Sequence, residues 1–279
     1  MEHPPIATER ALTRAEVLAL GLTPWRLRRA VAEGRLVRLR RDRYVNVADP
    51  HTDAAIAMGA RLTCVSLLVM LGVFVRSADL LHLHIPPNSS RHRKPVANPR
   101  MRLHWTRLFD TPPSRHAVAL VDAVRCAILC QPPRDAIATL DSLLHLGLMR
   151  LHEVRDVFST LPARYGALLP LVDGRAESGP ETLVRLMLRQ LGANVELQVL
   201  IPEVGRVDLV VNRWLVIECD SKAHHEGWDK QRDDRRRDLA AVRLGYVCIR
   251  LLAEDVLYSP ERVYELLAAI LAQGPLLAR

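Results

Sequence analysis

The sequence predicts a mixed α/β (α+β) protein of more than one domain, and three observations carry that expectation. The chain has 279 residues, more than one small core organises. Apolar residues recur at three- and four-residue spacing through most of the first two thirds, as amphipathic helices require. From residue 169 onward the order becomes helix, three short strands, helix, strand, helix. Three parts are therefore expected: residues 1–50 as a winged helix-turn-helix, 51–168 as a mainly helical middle domain, and 169–279 as an αβββαβ core.

In the first part, Thr13 and Glu16 stand three apart before an apolar run, the spacing of a capping box. Gly21 ends that helix, and Thr23-Pro24 opens a second one running from Trp25 to Glu33. Arg26, Arg28 and Arg29 take its polar side, and Trp25, Leu27, Ala30 and Val31 face a core. Two alternating strands follow, Leu36–Arg40 and Arg43–Val47, with Arg38 and Arg40 on the first. Helix, turn, helix and basic hairpin is the order of a winged helix, whose second helix enters the major groove. Arg26, Arg28, Arg29, Arg38 and Arg40 are accordingly the expected nucleic-acid contacts.

The run from Gly21 to Tyr44, Gly-x-Thr-x-x-x-Leu-x-x-Ala/Val-x-x-Gly-x-Leu-x-Arg-Leu-x-x-x-x-Tyr, resembles the N-terminal winged helix of AbiEi-type antitoxins. The middle domain is similar to the continuation of such proteins. That resemblance implies DNA binding, autorepression and a cognate toxin protein as partner.

In the middle, residues 54–76 read as an apolar helical region, Leu80–Ile85 and Met101–Trp105 as strands, and His116–Cys130, Arg134–His145 and Leu151–Leu161 as helices. His82, His84 and His104 lie on the strands; without an accompanying carboxylate or cysteine they are expected to be solvent-facing or hydrogen-bonded rather than ligands. The five cysteines, Cys64, Cys126, Cys130, Cys219 and Cys248, form no CxxC pair and sit in apolar stretches. Buried reduced thiols are expected of them, and no zinc site. Asp122 and Asp141 are isolated acids, expected in salt bridges or caps.

The last part gathers acids on two strands: Arg206–Val211 carries Asp208, and Arg213–Cys219 carries Glu218 with Asp220 just beyond. Lys222, His225 and the run Asp233–Asp238 follow, then Gly245-Tyr246-Val247-x-x-Arg250. Val207-Asp208-Leu209, Glu218-x-Asp220, His225, Asp234 to Leu239 and Gly245 to Arg250 together resemble the very-short-patch-repair endonuclease-like domains of the PD-(D/E)xK nuclease superfamily, over roughly residues 170–270. The resemblance implies a restriction-endonuclease-like core and a hydrolase cutting DNA with Mg2+ or Mn2+. Asp208, Glu218 and Asp220 are its implied metal ligands, since magnesium prefers oxygen donors. Glu181 takes the place of a further helix acid, with Glu177 the alternative. His225 would orient a water or protonate the leaving oxygen, and Arg235 and Arg250 would hold phosphate. Asp220 stands where the usual signature has lysine. Lys222, two residues on, is the nearest substitute, which leaves the general base open.

The net charge of +8, mostly arginine, agrees with an acidic partner such as DNA, and RNA is equally compatible. The N-terminus lacks a signal-peptide pattern, and the longest apolar run falls short of a membrane span, so a cytoplasmic protein is expected.

Overall fold

A computed structural model describes residues 13–19, 22–32, 36–40, 43–46, 58–87, 100–113, 116–220 and 228–275. By its internal contacts the chain forms two compact units, one of residues 1–136 with 152–166 and one of residues 137–151 with 167–279.

The first unit begins with helices α1 (Arg14–Ala19) and α2 (Pro24–Ala32) and an antiparallel pair, β1 (Leu36–Arg40) and β2 (Arg43–Asn46). The capping box forms reciprocally. Thr13 Oγ1 accepts from the Glu16 N–H at 3.1 Å, and Glu16 Oε2 accepts from the Thr13 N–H at 2.7 Å. Thr23 Oγ1 caps α2 through the Arg26 N–H at 3.3 Å. Val17, Leu27, Ala30, Leu36 and Tyr44 close a small core beneath these elements, so the apolar spacing read from the sequence is the packed face. Trp25 is 58% exposed, against the expectation that it faces that core, and Arg29 lies over its ring at 5.3 Å.

The same unit contains a three-stranded sheet of β3 (Arg61–Leu62), β4 (Leu81–His84) and β5 (Met101–His104), β3–β4 antiparallel and β4–β5 parallel. Helices α3 (Cys64–Met70) and α4 (Leu120–Cys130) pack on one another. Within the helical region expected over 54–76, the described residues show helix at Met58 and over Cys64–Met70, with β3 between them. Strand pairing competes for its start: the Leu62 N–H donates to His116 O at 2.7 Å and the Thr63 N–H to His82 O at 3.2 Å. Gly72, at φ 74°, follows its end in a conformation that suits glycine. The helix expected from His116 begins only at Leu120 for a related reason, since the Val118 N–H is donated to Leu62 O at 3.0 Å. Helix α5 (Pro133–His145), of which residues 137–145 belong to the second unit, and helix α6 (Leu151–Ser159) match their expected spans closely.

A 3₁₀ segment (Ala163–Leu171) runs from the first unit into the second, which continues with α7 (Gly179–Gln190), β6 (Val195–Ile201), β7 (Gly205–Val211), β8 (Leu215–Asp220), α8 (Trp228–Arg243), β9 (Val247–Leu252), α9 (Ala253–Tyr258) and α10 (Pro260–Gln273). The sheet order is β6-β7-β8-β9, with β6–β7 and β7–β8 antiparallel and β8–β9 parallel. A parallel neighbour needs a crossover, which α8 supplies. Ala241 of α8 packs with Val207, Val210 and Val216, and α7 packs against β6, β7 and β8. Residues of both parities on β7 and β8 are buried, from Leu209 to Val211 and from Leu215 to Ile217, so the sheet is covered on both faces.

Asp141 and Arg185 form an ion pair at 2.8 Å with side chains 1% and 3% exposed. Asp141 also accepts from the Thr182 hydroxyl at 2.8 Å and the Asp173 N–H at 2.7 Å, while Arg185 donates to Leu171 O at 2.8 Å. The isolated acid of the sequence is therefore the anchor of α5 on α7. Burial pushes its carboxyl up to about 6, against the pull of Arg185 and the hydrogen bonds.

Removing one partner strands the other charge in the interior. Asp141→Ala is expected to lower stability by about 3–5 kcal/mol, read from a denaturant midpoint, and Asp141→Ala with Arg185→Met to lose much less.

Candidate active site

The acids meet where two strands part. The ladder between β7 and β8 pairs Val211 with Leu215, Val210 with Val216 and Leu209 with Ile217, and stops there although both strands continue. In place of the next backbone rung, side chains intervene. The Cys219 N–H donates to Asp208 Oδ2 at 2.9 Å, and the Asp208 N–H donates to Glu218 Oε2 at 3.3 Å. Each acid thus satisfies a backbone group of the opposite strand, which fixes both carboxylates at the fork.

Glu181 joins them from the first turn of α7. Ser178 caps that helix by accepting from the Glu181 N–H at 3.3 Å, as the sequence spacing suggests. The Glu181 carboxylate accepts instead from the Glu177 N–H at 2.9 Å and from Gln198 Nε2 at 2.9 Å. The same Gln198 nitrogen reaches Asp208 Oδ1 at 3.5 Å, at the outer limit of a hydrogen bond, and so bridges the two acids. Glu177 turns away to Arg206 at 2.9 Å. Of the two alternatives on this segment, Glu181 stands with Asp208.

Gln198 was invisible as a site residue in the sequence, where it is one polar position in a strand. Its φ of 53° marks it in the structure, since non-glycine residues pay for that conformation. Arg237 was also missed, lost among neighbouring arginines. It donates through Nε to Val204 O at 2.8 Å and through Nη2 to Arg206 O at 2.7 Å, and it lies 3.4 Å from Glu218 Oε1.

Asp220 is more open and sits 3.6 Å from Arg250, which also binds Asp238 at 3.0 Å. Arg250 pairs in register with Glu218 across β8 and β9, so the glutamate, the aspartate and the arginine share one end of the sheet. Arg235 is exposed on α8. Lys222 and His225 lie outside the described residues, as does the side chain of Asp234.

Crowding of like charges shows in the electrostatics. Burial, then the neighbouring Asp208 charge, pushes Glu218 up to about 7, with Arg237 pulling the other way. Glu181 is raised as well, first by burial. Both glutamates therefore resist ionising at this end of the sheet.

In the first unit, the strand histidines and three cysteines come together, against the expectation of isolated residues. His84 is buried and pairs with Thr106 O through Nε2 at 2.8 Å, as a hydrogen-bonded strand residue does. His82 and His104 differ. His104 Nε2 lies 3.1 Å from His82 Nδ1, and Cys126 Sγ lies 3.1 Å from His104 Nδ1. One ligating atom from each of Cys64, His82, His104 and Cys130 falls within 4.8 Å of all the others. Sequence separations of 18, 22 and 26 residues concealed this, because no local spacing marks ligands delivered by four different elements.

No protein-family model matches the chain. Two proteins of Mycobacterium tuberculosis, from strains CDC 1551 and H37Rv and each described as uncharacterized, are 32% identical to it over 152 residues. The match covers 50% of this chain and 56% of each relative, so the chain spans about half the length of the curated relatives it matches.

The raised Glu218 carboxyl has a consequence for stability in chelator. Between its ordinary value of 4.5 and about 7 the folded chain holds a proton that the unfolded chain releases, so stability falls as pH rises through that window. Glu218→Gln is expected to be more stable than the parent at pH 8, by up to about 3 kcal/mol, and to lose that advantage as pH falls toward the lower value. Thermal melts across the pH range check it.

Proposed function

We propose that the protein is a divalent-metal-dependent DNA endonuclease whose N-terminal winged helix contacts the substrate. The observation that carries this reading is the convergence of Asp208, Glu218 and Glu181 at the fork of β7 and β8. The order α7-β6-β7-β8-α8-β9 around that fork agrees with a PD-(D/E)xK core, and the resemblance of Val207 to Arg250 to very-short-patch-repair endonucleases supports the same class.

The donor set is all oxygen, which fits magnesium or manganese better than a thiophilic metal. Asp208, Glu218 and Asp220 would hold the cation, with Glu181 beside them. When bound, such an ion supplies Lewis acidity toward the phosphate and an ionised water near neutral pH. The protein's own groups do the rest. Gln198 holds Asp208 and Glu181 in one orientation, and Arg237 holds Glu218. Arg250 brings cationic charge to that end of the sheet, and Arg235, exposed on α8, is the second residue to hold the phosphodiester. In the first unit, Arg26, Arg28 and Arg29 are exposed on α2 and Arg38 on β1, as phosphate contacts need to be.

A second reading follows from Asp220. It occupies the lysine place of the usual signature and is paired with Arg250, which itself binds Asp238. A chain whose site is held this way suits a DNA-binding regulator of AbiEi type, with a degenerate nuclease domain that meets a toxin partner without cutting.

Incubation with plasmid, nicked, mismatched and single-stranded DNA and with RNA, in magnesium or manganese, separates the two. Metal-dependent cleavage that Asp208→Asn reduces to background is the expected result. Survival of every substrate, together with unchanged melting on adding either metal, would leave the regulator reading. Arg26→Ala with Arg28→Ala should weaken retention of duplex DNA in a gel and reduce the salt slope by about 2.

A further inference from the structure

We infer that Cys64, His82, His104 and Cys130 form a tetrahedral Cys2His2 zinc site that staples the core of the first unit. This assignment is independent of the nuclease reading, since it involves neither the acids of the second unit nor DNA.

The four ligands come from four elements. Cys64 opens α3, His82 stands on β4, His104 on β5, and Cys130 ends α4. Their ligating atoms lie within 4.8 Å of one another. Tetrahedral zinc, with Zn–S about 2.3 Å and Zn–N about 2.0–2.1 Å, sets an edge of about 3.3 Å between two nitrogens and about 3.6 Å between nitrogen and sulfur. The observed edges are 3.1 Å from His104 Nε2 to His82 Nδ1 and 3.7 Å from Cys130 Sγ to His82 Nδ1. The cluster is already close to the size of the ion's coordination shell.

Three further features fit a structural site. Cys64 and His82 are buried and Cys130 and His104 half-buried, which closes the centre on its inner side. Two thiolates balance the charge of the cation, so a buried centre carries no net charge. Cys126, one helical turn before Cys130 on α4, meets the other ring nitrogen of His104 at 3.1 Å. With zinc on Nε2, the Nδ1–H donates to Cys126, and that hydrogen bond fixes the tautomer and the ring plane. Cys64 itself adopts φ 53°, a costly conformation for a cysteine that a metal bond would offset. Loading the site exchanges two thiol protons for one Zn2+ and changes no oxidation state.

The test uses the full chain purified under reducing conditions and dialysed against metal-free buffer. Atomic emission should find about one zinc per chain, with two protons released on reloading the stripped protein at a pH where its thiols are protonated. Cobalt should replace it and give the visible bands of a tetrahedral ion together with thiolate charge transfer. Cys130→Ser and His104→Asn should lose the metal at least about tenfold more readily to a chelator, whereas Cys126→Ser should retain it with weaker binding. If the folded parent chain, checked by circular dichroism, holds no zinc and gives no cobalt spectrum on titration, the assignment is wrong. It is equally wrong if Cys64 and Cys130 prove to be disulfide-bonded in protein isolated without reductant, or if Cys126→Ser abolishes binding as completely as Cys130→Ser.

Discussion

The second unit depends on keeping carboxylates together where they repel. Asp208 and Glu218 stand on adjacent strands and each satisfies a backbone N–H of the other strand. The fork in the sheet exists because those side chains replace a ladder rung. Burial first and the Asp208 charge second raise the Glu218 carboxyl, Arg237 pulls it back, and Gln198 reaches Asp208 from β6. A fold under selection for stability alone gains nothing from such an arrangement, since an apolar pair at the same place would extend the ladder.

That strained end is carried by a rigid base. Asp141 and Arg185 tie α5 to α7, and Thr182, next to Glu181, joins the same network. The helix that delivers Glu181 is thus clamped one residue after it. Orientation of an acid on a helix is only as good as the helix's own attachment, and here the attachment is a buried ion pair held by further hydrogen bonds. Positioning and stability are coupled through one turn of α7.

Much of this was legible in the sequence because the signals are local. Thr13 with Glu16 and Ser178 with Glu181 are three-residue spacings, and both formed caps. The strands of the second unit are short apolar runs bounded by turn residues, and their spans agreed within two residues. Asp208 and Glu218 were readable as partners because a hairpin brings neighbouring strands together by necessity. Where the sequence misled, long-range pairing had captured the backbone. Residues 116–118 would have extended α4, but Leu62 takes the His116 carbonyl and the Val118 N–H into a bridge. Gln198 and Arg237 act through contacts that no periodicity encodes.

The cysteine and histidine cluster shows the same limit most sharply. Each residue taken in its own stretch has an ordinary explanation: a thiol in an apolar helix, an imidazole on a strand. Only the parallel pairing of β4 and β5 sets His82 and His104 within reach of each other, and only the packing of α3 on α4 brings Cys64 to Cys130. Parallel pairing of strands separated by sixteen residues is a tertiary decision, made by the core rather than by any turn. Reading spacing for CxxC pairs tests whether ligands are neighbours in the chain. A metal site requires only that they be neighbours in space, so a scattered, odd set of cysteines excludes much less than its pattern suggests.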